Sequence, residues 1–243
     1  MVAQGMQEYL LHRIRIHGEE KNSSADALTA LSREPALQSP PYAHMSPTVR
    51  DALKDTISSM LERVLREDPK SPVQVHLGGN TYDSGQSPLS EAFIRSFADV
   101  LTTRQEQDKY PLPLCYLHIH GPLSDHHSLK PLFDSFLACP LLHHLHLDLA
   151  HEDADAAFGW LEHAIGRMNG IEEIVLDNNR GRDRLLAPDR WDDLATALSS
   201  HPTLSKISFI GCYPPPPSFA SRLDGFAICP LSHSRHSFCI KRI

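Results

Sequence analysis

The sequence predicts an α/β fold in which short parallel strands alternate with helices, arranged as a curved solenoid with strands on the concave face and helices on the convex face. Three observations predict it. Five segments, PVQVHLGGN, LCYLHIHGP, LHHLHLDLA, IEEIVLDNN and LSKISFIGC, place apolar residues with the two-residue alternation of a strand. Their register positions Val75, Leu117, Leu145, Ile174 and Ile207 stand 42, 28, 29 and 33 residues apart. Each gap holds one apolar pattern at helical spacing, and a unit that cannot bury its own apolar face must stack on neighbours.

The elements follow in chain order. Residues 1–45 hold a short apolar patch (Tyr9, Leu10, Leu11, Ile14, Ile16), a polar stretch and the Ser/Pro-dense SREPALQSPPYAHMSP, which predicts an N-terminal tail or linker. Residues 46–71 predict a capping helix over 47–66, with Ser46 as N-cap, Pro47 at the first helical position, and Val49, Leu53, Ile57, Met60, Leu61, Val64 and Leu65 along one face. It is expected to cover the open end of the first repeat. Within the repeat region, 72–212, the helical patterns are Leu89/Phe93/Phe97/Leu101, Leu129/Leu132/Phe133/Phe136/Leu137, Phe158/Leu161/Ile165/Met168 and Trp191/Leu194/Leu198. Residues 213–243 begin with YPPPPS and predict a proline-rich, Cys/His-containing tail, whose Pro214 to Pro217 could also dock an aromatic groove on a partner.

Three stretches carry a resemblance. LATALSSHPTLSKISFIGC, PLFDSFLACPLLHHLHLDLA and WLEHAIGRMNGIEEIVLDNN run helix leucines into L-x-x-L-x-L strands, a layout that resembles the leucine-rich repeat of the ribonuclease-inhibitor-like type. The likeness covers roughly residues 72–212. In that family an Asn or Cys follows the last strand leucine by three; Asn80, Asn179 and Cys212 hold that position here, whereas Pro122 and Ala150 depart from it. The resemblance implies a protein-protein interaction scaffold. Its alternative implication is a substrate-recognition module of a ubiquitin-ligase assembly or a bacterial effector acting in a host, although residues 1–45 carry no F-box or RING pattern. A doubly wound α/β sheet is the competing architecture, but no glycine-rich phosphate loop follows any strand.

Composition narrows the partners. A net charge of −7 over 243 residues argues against nucleic acid and against anionic membranes, since no basic stretch is large enough to neutralise phosphates. No window approaches the roughly 18 apolar residues of a spanning helix, and the first twenty residues lack a signal-peptide core. Five cysteines without a C-x-x-C pair point to a reducing compartment, so the expected location is cytoplasmic.

Strand alternation then selects the exposed residues. If Leu117 and Ile119 face the core, His118 and His120 face outward onto the concave surface, and equivalent residues of neighbouring repeats stack in columns. The columns read His76/His118/His146/Val175/Ser208, Gly78/His120/Asp148/Asp177/Ile210 and Gln74/Tyr116/His144/Glu173/Lys206. The predicted partner-binding set is Tyr116, His118, His120, His144, His146, Asp148, Glu173 and Asp177.

Other chemistries find weaker grounds. His118, His120, His146 and Asp148 offer imidazoles and a carboxylate to a tetrahedral ion, but side chains on a flat sheet run parallel rather than convergent. Cys229, His233, His236 and Cys239 are zinc-type ligands at an uncommon spacing. No metal, cofactor or small-molecule substrate is expected. The chain lacks G-x-S-x-G, H-E-x-x-H and phosphate-loop motifs, and Cys115 beside His144 is its one candidate nucleophile pair. No enzymatic activity is expected.

Overall fold

The computed structural model describes residues 2–19, 24–38, 42–67, 73–78, 89–106, 114–119, 129–136, 139–148, 165–166, 168–177, 188–212, 215–231 and 237–243. Its α/β architecture centres on one seven-stranded sheet. The elements are α1 (Val2–Glu19), α2 (Ser24–Ser32), α3 (Pro47–Glu67), β1 (Val73–Leu77), α4 (Glu91–Glu106), β2 (Leu114–Ile119), α5 (Leu129–Ser135), β3 (His144–Asp148), β4 (Glu173–Asp177), α6 (Pro188–Ser200), β5 (Lys206–Ile210), α7 (Pro217–Ala220), β6 (Phe226–Pro230) and β7 (Phe238–Arg242).

Strands β1 to β5 lie side by side in chain order and pair in parallel, and β7 and then β6 extend the sheet antiparallel. The predicted register holds. Leu117 pairs with Leu145, Leu145 with Ile174, and Ile174 with Ile207. All four are 1% exposed or less, so each contributes about 1.5–3 kcal/mol of burial. In β4 the residues alternate strictly, Ile174 and Leu176 buried and Glu173, Val175 and Asp177 half-buried. One face of the sheet therefore carries the core while the other stays partly open.

The helical patterns predicted around Phe93, Phe133 and Leu194 become α4, α5 and α6. Phe93, Phe97, Leu132, Phe133, Phe136, Leu194 and Leu198 are all buried. Of the third pattern only Ile165 and Met168 are described, both buried; Phe158 and Leu161 lie outside the described residues, as do Asn80, Pro122, Ala150 and Asn179. The turn before β4 requires its glycine: a Cβ on Gly170 would stand 2.3 Å from the carbonyl oxygen of Pro140, in the turn before β3. His201 organises the next such turn. Its Nδ1 accepts from the Leu204 N–H at 2.9 Å, and its Nε2 donates to the Met168 carbonyl at 2.8 Å, which fixes a neutral tautomer.

Both chain ends differ from the sequence expectation. Among the described residues of 1–45, α1 and α2 form helices that pack on α3 and bury Leu10, Ile14, Leu28 and Leu31, where the sequence predicts a tail or linker. Helix α3 has the predicted bounds within a residue, and Ser46 caps it, its Oγ accepting the Val49 N–H at 3.3 Å. Its position is different, because it packs beside α4 in the helical layer while the edge of β1 is covered by α2. There Thr29 Oγ1 donates to the His76 carbonyl, the Gly78 N–H donates to Ser32 Oγ at 2.8 Å, and Arg33 Nε donates to the Gly78 carbonyl. The polar residues that made this stretch look like a linker are the ones that satisfy an otherwise bare strand edge.

The C-terminal segment is equally integral. Pro217 occupies the first turn of α7, and Phe219 beyond it is fully buried with its ring 4.9 Å from Trp191. Trp191, Phe209 and Phe238 complete that cluster, with Phe209 and Phe238 stacked at 4.7 Å. These aromatics anchor the β6–β7 hairpin to the end of the sheet.

Candidate functional site

The open face of the sheet is built by register alone. Directly paired residues share a face, so one row runs His76, His118, His146, Val175 and Ser208 across β1 to β5 and continues onto the hairpin as Cys239 and then Cys229. A second row runs Gln74, Tyr116, His144, Glu173 and Lys206 and continues as Lys241 and Ala227. Asp148, Asp177 and Ile210 form part of a third. Tyr116, His118, His144, His146, Glu173 and Asp177 thus sit on one surface, as the columns predict. Asp148 takes its predicted strand position, and His120 lies outside the described residues.

The rings of this surface touch one another. His118 and His146 stack with centroids 3.7 Å apart and planes 14° apart. His76 lies 5.5 Å from both His118 and Tyr116, and Tyr116 lies 6.3 Å from His144. Stacking hides His118, which is only 9% exposed although it points away from the core. Burial also pushes the His146 imidazole below its ordinary value; Asp177 opposes that shift and His76 adds to it. Burial, with the Glu173 carboxylate, raises the Tyr116 phenol.

The second row is polarised along its length. Lys206 Nζ lies 2.6 Å from Glu173 Oε1, and His144 Nδ1 lies 3.7 Å from Glu173 Oε2. Glu173 therefore stands between an imidazole and an ammonium, and it holds both in place over the strands. The face offers flat aromatic surface beside polar groups that already have local partners.

The structure separates the candidate nucleophile pair. The β1–β2 register skips Cys115, passing from Val73/Leu114 to Gln74/Tyr116, and it is Tyr116, not Cys115, that pairs with His144. Burial also raises the Cys115 thiol, the wrong direction for a nucleophile. As to metal, the parallel stacked rings of His118 and His146 present their nitrogens side by side. Among the described residues no group of three or more His, Cys, Asp or Glu is placed to hold an ion. Of the Cys229/His233/His236/Cys239 set, the two cysteines pair across β6 and β7, and the histidines lie outside the described residues. Elsewhere, a hollow of about 400 Å³ on α6 is lined by Ala195, Thr196, Ser199, Ser200 and Arg222, but Arg222 is engaged by Asp192 at 2.8 Å.

Reading the sequence missed the hairpin's share of this face, Cys239, Cys229 and Lys241. The signal was present in FAICP and FCIKR, two short runs with apolar residues alternating at Phe226/Ile228 and Phe238/Ile240. Among the described residues no helix is long and apolar enough to cross a membrane. The chain matches no model of a known protein family, and a search of curated proteins finds no match either.

Proposed function

We propose that this chain is a non-enzymatic, cytoplasmic scaffold of the leucine-rich-repeat kind, a solenoid whose open sheet face binds a protein partner. The strand order supports the solenoid reading: five parallel strands in unbroken chain order, with the large aliphatic core of β4 on one face, suit a one-sided repeat. A doubly wound sheet would be covered by helices on both faces.

The observation that carries the binding reading is the pair of in-register rows, in which Tyr116 and four imidazoles form a continuous aromatic surface beside the Glu173–Lys206 pair. Preordered aromatic side chains with satisfied polar neighbours lose little conformational entropy on contact, which favours a protein surface over a diffuse solvated one. The test is affinity capture with the whole chain, comparing wild type, a Tyr116→Ser/His146→Ala face variant, and a Lys130→Ala variant on exposed α5. A partner retained by wild type and Lys130→Ala but lost by the face variant supports the reading. A partner retained equally by all three overturns it.

A further inference from the structure

Cys229 and Cys239 stand directly opposite each other in the antiparallel β6–β7 hairpin, and both are free thiols. The backbone bonds Leu231 N–H to Ser237 O and Ile243 N–H to Gly225 O stand two and four residues to either side, both even offsets, so 229/239 falls on a hydrogen-bonded pair. Such a pair holds its Cα atoms about 5.5 Å apart, inside the range of about 4.4–6.8 Å that a disulfide spans. Burial raises the Cys239 thiol, and the neighbouring Cys229 adds to that shift, so the two side chains influence each other across the strands.

The rest of the cysteines have no such arrangement. Cys139 is buried within the core with its thiol pushed up to about 12 by burial. Cys212 is held at about 12 by burial and by Asp177, and its thiol donates to the Ile210 carbonyl. Cys115 is half-buried at the irregularity in β2, with its thiol raised by burial and no second cysteine paired with it. Cys229 is half-buried and reachable, whereas Cys239 is 6% exposed, so the pair combines an accessible sulfur with a sheltered one.

We propose that Cys229 and Cys239 form a reversible disulfide by exchange with a small-molecule disulfide of the glutathione type. The Cys229 thiolate attacks one sulfur of the oxidant, whose S–S bond breaks to release one thiolate and leave a mixed disulfide on Cys229. The Cys239 thiolate then attacks the Cys229 sulfur, the mixed disulfide breaks, and the second small thiol departs. Two protein thiols become one disulfide, two electrons pass to the oxidant, and the two protons end on the two small thiols. In a reducing compartment a disulfide is expected to be transient and redox-sensing rather than structural. This one ties β6 to β7 at the edge of the sheet and needs no partner protein.

The experiment equilibrates the full-length protein in buffers of stepped reduced-to-oxidised glutathione ratio, followed by acid quench, alkylation and mass spectrometry. Tryptic cleavage after Arg235 places the two cysteines on separate peptides. The expected result is a linked peptide pair lighter by two hydrogens, lost on treatment with dithiothreitol, together with a higher melting temperature for the oxidised form. Cys239→Ser, or Cys239→Ala if the serine disturbs the hairpin, is expected to trap glutathione on Cys229. Cys229→Ser is expected to leave Cys239 unmodified at the same ratios. Wild type that accumulates glutathione on Cys229 without cross-linking, or that shows no thiol loss at the most oxidising ratio, overturns the proposal.

Discussion

The imidazoles of His118 and His146 stack with ring centroids 3.7 Å apart, closer than any neighbouring strand spacing requires. Placing a charge on each ring at that separation is unfavourable, and burial already disfavours the charged form of His146. The folded-state value of His146 therefore lies below the 6.5 of an unhindered imidazole, and the unfolded chain binds the proton more readily. By linkage, stability is complete above about pH 6.5 and declines as pH falls through that value toward the depressed one.

The expected outcome is a lower melting temperature at about pH 5.5 than at about pH 7.5, the range in which imidazoles titrate. His146→Gln should flatten that dependence without abolishing it, because His201 is also held below its ordinary value by burial and by Arg242, against the Met168 hydrogen bond. Thermal melts of both proteins across the range check it. An unchanged slope in the variant would remove His146 from the account.

A second prediction concerns Glu34, which is 3% exposed and lies 2.7 Å from Arg13 and 2.8 Å from His17. Burial alone would raise its carboxyl, but hydrogen bonds from Arg13, His17 and the Ala36 N–H together with the Arg13 charge hold it at about 2. The depressed carboxylate stabilises the fold fully above the ordinary 4.5, and that contribution is lost as pH falls from there through about 2. Glu34→Ala removes the buried carboxylate that accepts from Arg13, His17 and the Ala36 N–H, and should destabilise by about 3 kcal/mol. Denaturant titration near neutral pH measures it. Deletion of residues 1–40 should likewise cause aggregation, since it removes Glu34 and uncovers the β1 edge that Ser32 and Thr29 satisfy.

The core of the parallel strands was legible in the sequence because its signal is local. Leu117, Leu145, Ile174 and Ile207 repeat at a near-constant period, and strand alternation assigns the faces of the residues paired beside them. The two ends were not legible for a different reason. Thr29, Ser32 and Glu34 look like linker residues until a bare strand edge and the Arg13 guanidinium are placed beside them, and those are long-range facts. Likewise Pro217 reads as part of a polyproline linker, yet it starts a turn that drives Phe219 against Trp191. Stacking of His118 on His146 could be inferred as adjacency from the columns but not as contact, since ring rotamers are set by neighbours on both sides.

Gly170 supplies a test of how the turns before β3 and β4 pack on each other. Its missing side chain leaves room for the Pro140 carbonyl, and a Cβ placed 2.3 Å from that oxygen meets backbone that has no rotamer to change. Gly170→Ala should therefore cost about 1–3 kcal/mol, the range of an overpacked site. Gly5→Ala, where nothing lies within 4 Å of the added carbon, should be neutral or slightly stabilising. Equal melting temperatures for the two variants would contradict the close approach.

The hairpin's attachment is the last test, and Phe238 is the residue to change. Its ring stacks on Phe209 at 4.7 Å and 12° and lies 6.1 Å from Trp191, with 4% of its surface exposed. On the other face of the same strand Lys241 is exposed. Phe238→Ala removes a buried aromatic from a cluster that joins α6, β5 and β7, and it should destabilise by about 3–5 kcal/mol. Lys241→Ala removes no buried surface and should stay within about 0.5 kcal/mol of wild type. Loosening β7 also bares the backbone of β5, so the Phe238 variant should self-associate below its melting temperature, by the route open to any unpaired edge. Size-exclusion chromatography alongside denaturant melts separates the two effects. A Phe238 variant that is as stable and monomeric as wild type would mean that the hairpin is held by its backbone bonds alone.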